Sequence, residues 1–244
     1  MQIAHIPKVN ARYWSAITFA SLFGTNMGDL YSHELKLGIV LGTSILAALA
    51  AAVFLVERRD HGPRELYYWL VIIIIRTGAT NIADYFKKII YWPLFAAILT
   101  ALLAGFAWLS SRSDAKREAE SEAQGMPATG TAYWLAMLSA GVFGTFIGDV
   151  CSKLIGKGFA SLSLGALLIV ALFAWRRDSG NRFWFYWIAL AVARTAGTAM
   201  GDWLAETEAL GIGLPLSTLI TGSIFVLILL LWPRKGGAAV PIHA

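Results

Sequence analysis

The sequence contains little charge and almost no cysteine. Asp, Glu, Lys and Arg account for 14% of its 244 residues, whereas about a quarter of an ordinary soluble domain is charged. The single cysteine, Cys151, excludes an intrachain disulfide and the metal motifs that need several cysteines. The chain also lacks a nucleophile elbow, a P-loop, an HExxH or CxxC motif and a dinucleotide fingerprint. We therefore expect no enzyme activity and no resident cofactor.

Apolar residues dominate instead. They make up 57% of the chain and occur in blocks of about 20, the length needed to cross roughly 30 Å of hydrocarbon. The net charge is +5, but the basic residues stand at the ends of the blocks rather than on one patch, which argues against a nucleic-acid partner. The composition predicts a polytopic membrane protein whose main partner is the lipid bilayer.

Eight apolar segments predict an all-α fold with eight transmembrane helices. They cover residues 13–32, 37–56, 66–88, 91–110, 132–152, 158–175, 183–204 and 212–232. Basic pairs such as Arg58-Arg59 and Arg176-Arg177 follow even-numbered segments, and the turns after odd-numbered segments carry fewer basic residues. By the positive-inside rule, we expect both termini on the cytoplasmic side of the bacterial inner membrane.

The chain also repeats itself. Tyr13-Trp14 recurs 120 residues later as Tyr133-Trp134, and Arg58-Arg59-Asp60 recurs 118 residues later as Arg176-Arg177-Asp178. Each repeat holds four segments, an even number, so both repeats enter the membrane in the same direction and form a parallel duplication. The predicted divisions are a first four-helix repeat (1–112), a cytoplasmic linker (113–130), a second four-helix repeat (131–235) and a C-terminal tail (236–244).

A polar stripe recurs on the odd-numbered segments. Arg76, Thr80 and Asp84 follow one another at four-residue spacing, so they share one face of a helix. Such groups are costly against lipid, and we expect them to face the interior of the bundle. All four odd segments carry Thr-x-x-x-Asp, which favours a finer arrangement of four two-helix units around a pseudo-fourfold axis. The stripes contain Thr25 and Asp29, Thr80 and Asp84 with Arg76, Thr145 and Asp149, and Thr198 and Asp202 with Arg194.

The four aspartates are the candidate site. Four carboxylates and two guanidinium groups leave a formal charge of about −2, which suits one divalent cation or two bound protons. Asn26 and Asn81 occupy equivalent positions and add amide oxygens, and an all-oxygen site favours Mg²⁺, Ca²⁺ or Mn²⁺. We predict that the aspartates bind a metal as substrate, with the threonines and asparagines alongside. The alternative is that Arg76 and Arg194 form ion pairs with the aspartates, as structural clamps or as gates.

Glycines and aromatic residues have simpler interpretations. Gly24 with Gly28, and Gly144 with Gly148, are small residues four apart, which let helix backbones approach closely. The Tyr-Trp pairs cluster where the odd segments begin, as expected of an aromatic belt at the membrane surface. A cation–π cage for an organic cation is the alternative for these aromatic residues.

A recurring Gly-Thr-x-x-Gly-Asp element connects these observations to a family. It occurs as Gly24-Thr25 with Gly28-Asp29, and again as Gly144-Thr145 with Gly148-Asp149. In this respect the chain resembles a family of bacterial uncharacterised membrane-anchored proteins, whose domain of unknown function repeats the element. The third segment departs from the pattern, since Ala79 and Ala83 replace the glycines. The resemblance covers most of both halves and implies the repeated membrane fold, but no activity.

Two classes of function remain open on the sequence alone. The first is a transporter that moves a divalent cation such as Mn²⁺ in exchange for protons through the aspartate layer, or else an organic cation. The second is a membrane scaffold or sensor in which the Asp, Arg and Thr stripes only hold the helices together. The two classes differ in whether the aspartates line a water-accessible cavity.

Overall fold

The computed structural model describes residues 6–60, 65–112, 126–127, 129–177, 182–207 and 210–232. Within them the fold is all-α, as predicted, and contains no strand. Each of the eight predicted segments corresponds to one long helix. The helices are α1 (Ala11–Asp29), α2 (Ile39–Glu57), α3 (Leu66–Phe86), α4 (Trp92–Ser110), α5 (Thr131–Ile155), α6 (Lys157–Arg177), α7 (Arg182–Glu206) and α8 (Gly213–Leu231). A π-helical turn, Leu30–Glu34, extends α1.

Local sequence explains several helix boundaries. Asn10 precedes α1, and its side chain accepts a hydrogen bond at 3.0 Å from the backbone N–H of Tyr13, as an N-cap should. Pro93 lies in the first turn of α4, where its missing N–H costs nothing. Gly156 separates α5 from α6 with a φ of +82°, a conformation that favours glycine.

Four helices form a central ring. Helix α1 contacts α3 and α7, and α5 contacts the same two helices, so the order around the ring is α1, α3, α5, α7. Each remaining helix packs outside, mainly against the inner helix that follows it in the chain: α2 on α3, α4 on α5 and α6 on α7. The last helix, α8, packs on α1 and closes the pattern. The inner helices are those whose segments carry the polar stripes.

Among the described residues, six helices are long and apolar enough to cross a membrane: α2, α3, α4, α5, α6 and α8. The inner helices α1 and α7 are not among them. Both contact other helices on several sides, α1 meeting α3, α7 and α8, and a helix enclosed by protein can carry polar side chains because it does not face lipid. Inner and outer helices also differ in burial among the six apolar helices. Of the apolar stretch of the inner helix α3, 67% is buried inside the protein, whereas 11% of the apolar stretch of the outer helix α2 is buried.

Candidate functional site

Glycine allows the ring to close. A Cβ on Gly24 of α1 would lie 2.4 Å from Arg76 Cγ, and one on Gly144 of α5 would lie 2.5 Å from Arg194 Cβ. One turn farther along α1, a Cβ on Gly28 would lie 2.6 Å from the Cβ of Thr80 on α3. The small residues are therefore packing seams between neighbouring inner helices, as the sequence indicated.

The first polar layer is a closed ring of four tyrosine hydroxyls, one from each inner helix. Neighbouring hydroxyl oxygens lie 2.6 to 2.9 Å apart around the whole ring. The four residues are Tyr13, Tyr68, Tyr133 and Tyr186, and all are buried. Met126, which comes just before α5, contacts the ring through its sulfur, 3.6 Å from the Tyr133 hydroxyl. A square of hydroxyls at these distances leaves no opening along the axis.

Each tyrosine is followed by a tryptophan that packs into the same layer. Every tyrosine ring contacts its own tryptophan edge-on, with ring centroids 5.1 to 5.4 Å apart. It also contacts the tryptophan of the neighbouring inner helix, at 5.6 to 5.7 Å. The tryptophans are Trp14, Trp69, Trp134 and Trp187, and all are buried. The aromatic-belt prediction is therefore wrong for these pairs, because burying eight large rings in one layer holds the inner helices together.

The second layer centres on Arg76, which is fully buried. Its guanidinium group donates to the hydroxyls of all four stripe threonines. The distances are 2.6 Å to Thr145 and to Thr198 and 3.2 Å to Thr80, and Thr25 accepts a further bond. The Gly141 carbonyl lies 3.5 Å from the same side chain. Arg76 therefore occupies the axis of the ring and bonds to every inner helix.

Arg194 occupies the equivalent position on α7 but has fewer and longer contacts. It is also fully buried, and it donates to Ser21 Oγ at 3.2 Å and approaches Met137 Sδ at 3.9 Å. Two guanidinium groups at the same point on the axis would repel each other, which accounts for the difference. Among the ion pairs that the described residues form, none joins Arg76 or Arg194 to an aspartate, the alternative that the sequence left open. Hydroxyl groups lie within reach of each guanidinium group instead.

The third layer is a chamber of about 190 Å³ at the end of the ring opposite the tyrosines. All four stripe aspartates line it, and Thr25, Thr80 and Thr145 contribute on the side nearest Arg76. Lys153 and Glu206 are exposed, so the chamber reaches the protein surface. The complete lining is Thr25, Asp29, Thr80, Asp84, Lys87, Thr145, Asp149, Ser152, Lys153, Lys157, Asp202 and Glu206. We call it the acidic chamber.

Five residues of the chamber were not predicted from the sequence: Lys87, Ser152, Lys153, Lys157 and Glu206. Lys87 is the one that bridges two of the predicted aspartates. Its Nζ lies 2.5 Å from Asp84 Oδ1 and 2.5 Å from Asp149 Oδ2, so one ammonium group bridges two inner helices. Burial lowers the pKa of Lys87, but the charges and hydrogen bonds of Asp149 and Asp84 outweigh it, and the pKa is raised overall. The spacing of Lys87 three residues after Asp84 is a signal that could have identified it.

The remaining predicted residues lie outside the chamber. Thr198 belongs to the Arg76 layer and does not line the chamber. Asn26 donates from Nδ2 to Ser217 Oγ on α8 at 2.6 Å, and Asn81 is buried on α3. Neither amide lines the chamber. The asparagines therefore belong to the packing of inner against outer helices and not to an oxygen ligand set.

The predicted metal site is not formed either. Within the described part of the chain, no group of three or more His, Cys, Asp or Glu residues is arranged to hold a metal ion. The aspartates come from four helices arranged in a ring, and two of them are bridged by Lys87. A larger cavity, about 410 Å³, lies between α4 and α6 and is lined mainly by apolar residues such as Leu103 and Phe143. It offers no charge to an ion, so the smaller acidic chamber is the candidate site.

Comparison with known proteins identifies a repeat family. Two segments, residues 12–61 and 185–237, match the family described as Repeat of Unknown Function (DUF347). The match confirms the resemblance to a repeat family in these two segments and supports an internal repeat. The first match covers α1 from its second residue and all of α2, and the second covers α7 from its fourth residue and all of α8. Each match therefore corresponds to one inner and one outer helix. Neither a curated protein nor a solved structure gave a significant match.

Proposed function

We propose that this chain, which carries two repeats of the DUF347 family, is a membrane transporter that binds a small cation in its acidic chamber. The observation that carries the proposal is the ammonium group of Lys87, held 2.5 Å from a carboxylate on each of two inner helices. The chamber therefore already provides a geometry that binds a cation. Intramembrane ionisable residues are costly, and they commonly mark substrate or ion pathways.

The chemistry of the chamber favours an ammonium-type organic cation over a divalent metal. Its cation ligands are carboxylates on separate helices, and the described residues offer no metal-ligating cluster. A divalent ion such as Mn²⁺ requires about six oxygen ligands around one centre. An ammonium group needs two or three acceptors, as Lys87 illustrates. The organic cation, an alternative on the sequence alone, becomes the preferred substrate class.

The proposed membrane arrangement is eight spans with both termini in the cytoplasm of a bacterial cell. The tyrosines lie near the start of each inner helix and the aspartates near its end, so the four inner helices run in the same direction. Parallel inner helices joined through single outer helices fit two four-span repeats that enter the membrane in the same direction. The acidic chamber then faces the periplasm, and the tyrosine ring closes the cytoplasmic end of the axis.

Flux measurements in proteoliposomes test the proposal. Purified protein is reconstituted, and uptake of methylammonium, K⁺ and Mn²⁺ is followed with and without a proton gradient. We expect methylammonium uptake that falls at least about tenfold in Asp202→Asn, which corresponds to about 1.4 kcal/mol. The matched control is Glu34→Gln, an exposed carboxylate that does not line the chamber. Absence of flux for every cation would overturn the proposal.

A structural role is the second candidate. The observation that favours it is that Arg76 bonds to all four inner helices through threonine hydroxyls and not through a carboxylate. A scaffold needs only such contacts. A protein without flux in which Arg76→Lys lowers the thermal stability, while Asp29→Asn and Asp202→Asn do not, would favour this role.

A further inference from the structure

The acidic chamber contains two pairs of carboxylates related by the internal repeat. The duplication places α5 in the position of α1 and α7 in that of α3. Asp84 and Asp149 on the neighbouring helices α3 and α5 therefore correspond to Asp202 and Asp29 on the neighbouring helices α7 and α1. Both pairs line the same chamber. The two pairs differ in what neutralises them.

Lys87 neutralises only one pair. It follows Asp84 by three residues and bridges Asp84 to Asp149. The corresponding residue, three positions after Asp202, is Ala205. Among the described residues, no ion pair and no side-chain hydrogen bond reaches the carboxylate of Asp29 or of Asp202. The second pair therefore lies on the equivalent two neighbouring helices but lacks a lysine at the equivalent position.

A second observation points to a ligand in the chamber. Ser152 lines it and is more than nine-tenths buried, with 8% of its surface exposed. Its hydroxyl has no hydrogen-bond partner among the described residues. A buried hydroxyl left without a partner costs free energy unless water or a ligand satisfies it. The chamber, which Lys153 and Lys157 also line, thus contains an unused hydrogen-bonding group as well as two carboxylates that no ion pair among the described residues reaches.

We infer that Asp29 and Asp202 form the substrate-binding pair and that they take a primary ammonium group, in the way that Asp84 and Asp149 take the ammonium of Lys87. Lys87 acts as a tethered cation that fills one half of a twofold site and leaves the other half for the substrate. The inference rests on the proposed function, since it names the substrate class and the residues of the same chamber.

Exchanging the lysine between the two pairs tests this assignment. Ala205→Lys places an ammonium three residues after Asp202, as Lys87 is placed after Asp84, and fills the second pair from within. Lys87→Ala removes the tethered cation from the first pair. The double variant, Lys87→Ala with Ala205→Lys, has a lysine at the Asp29–Asp202 pair and leaves the Asp84–Asp149 pair vacant. Ala205→Met is the matched control, because it adds a side chain of similar length without a charge.

The measurement is equilibrium binding of radiolabelled methylammonium to the purified full-length protein in detergent at pH 7. We expect about one ligand per chain for the wild type and for Ala205→Met, and at least a tenfold weaker affinity for Ala205→Lys. We expect Lys87→Ala to bind about two methylammonium ions per chain and the double variant to bind about one. Thermal melts identify any variant that does not fold. If Lys87→Ala fails to fold, the comparison of Ala205→Lys with Ala205→Met decides alone.

The outcomes separate this inference from the proposed function. If Ala205→Lys folds and both binds and transports methylammonium like the wild type, the assigned pair is wrong while the transport proposal stands. If the wild type transports Mn²⁺ and binds no methylammonium, the ammonium assignment is overturned and transport stands. If the wild type neither binds nor transports any of the tested cations, both are overturned.

Discussion

Arg76 Nη2 on α3 donates to Thr198 Oγ1 on α7 at 2.6 Å, across the ring to the diagonally opposite helix. The same side chain donates to Thr145 at 2.6 Å and to two further threonines. A planar guanidinium group presents five N–H donors in a fixed geometry, which a single ammonium group cannot reproduce. Arg76 is therefore the central polar connection of the ring.

The first prediction follows from the unequal contacts of the two arginines. Arg76→Lys should lower the free energy of unfolding by about 1.5–3 kcal/mol for each charge-assisted hydrogen bond that lysine does not replace. Arg194→Lys is the matched variant and should cost less, because Arg194 has one hydrogen bond at 3.2 Å and one long contact to sulfur. Thermal unfolding in detergent measures both. An equal loss in the two variants would contradict the central role of Arg76.

The second prediction concerns the close approach of α5 to α7. A Cβ on Gly144 would lie 2.7 Å from the backbone carbon of Arg194 and 2.9 Å from the backbone nitrogen of Thr195, and backbone atoms cannot move aside without displacing the helix. We expect Gly144→Ala to lower the melting temperature strongly, since overpacking typically costs about 1–3 kcal/mol.

Gly105 provides the control for this change. It lies inside α4, and a Cβ there meets no atom within 4 Å. Gly105→Ala should therefore be neutral or stabilising by up to about 1 kcal/mol, as expected from helix propensity. If both alanine variants melt at the temperature of the wild type, the seam between α5 and α7 is looser than the structure indicates.

The third prediction uses the closed tyrosine ring. Replacing the diagonal residues Tyr13 and Tyr133 by Phe removes all four hydroxyl contacts and strands the other two hydroxyls. Replacing the neighbours Tyr13 and Tyr68 leaves the contact between Tyr133 and Tyr186, at 2.9 Å. The diagonal double variant should therefore be less stable than the adjacent one by about 1 kcal/mol or more. Equal unfolding free energies would show that the hydroxyls do not act as a ring.

The sequence was sufficient to predict the helices and the position of the aspartates along them. Apolar length gave eight segments, and the spacing of Thr80 and Asp84 gave an inward stripe, because a helix repeats every 3.6 residues. The fourfold pattern was also present in the sequence. In every inner helix Thr follows Tyr by 12 residues and Asp follows Tyr by 16, as in Tyr13, Thr25 and Asp29. The four Tyr-Trp pairs thus extend the Thr-x-x-x-Asp spacing from which the pseudo-fourfold arrangement was predicted.

Other features depend on three-dimensional packing that spacing does not determine. Arg76 and Arg194 occupy equivalent sequence positions. Within the described part of the chain, however, Arg76 bonds to the four stripe threonines and Arg194 bonds to Ser21. The difference arises because two like charges avoid the same place on the axis, which a comparison of repeats cannot show. The packing of each outer helix on the following inner helix is likewise a property of the assembled ring. Most of the predicted linker (113–130) and the whole predicted tail (236–244) lie outside the described residues.

The last prediction concerns the pH dependence of the Lys87 bridge. The folded protein raises the pKa of Lys87 although burial opposes the charge, because Asp149 and Asp84 hold the ammonium group. A raised pKa means that the stabilisation is fully present below the unfolded pKa, about 10.4 for lysine, and is lost only as pH rises through the higher folded value. Lys87→Met should therefore lower the free energy of unfolding by a constant amount between pH 7 and 9, about 2 kcal/mol for a partly buried charged hydrogen bond. Lys88→Met, next in the chain, is the control and should change little. A difference between Lys87→Met and the wild type that already disappears by pH 9 would show that the two aspartates do not stabilise the charged amine.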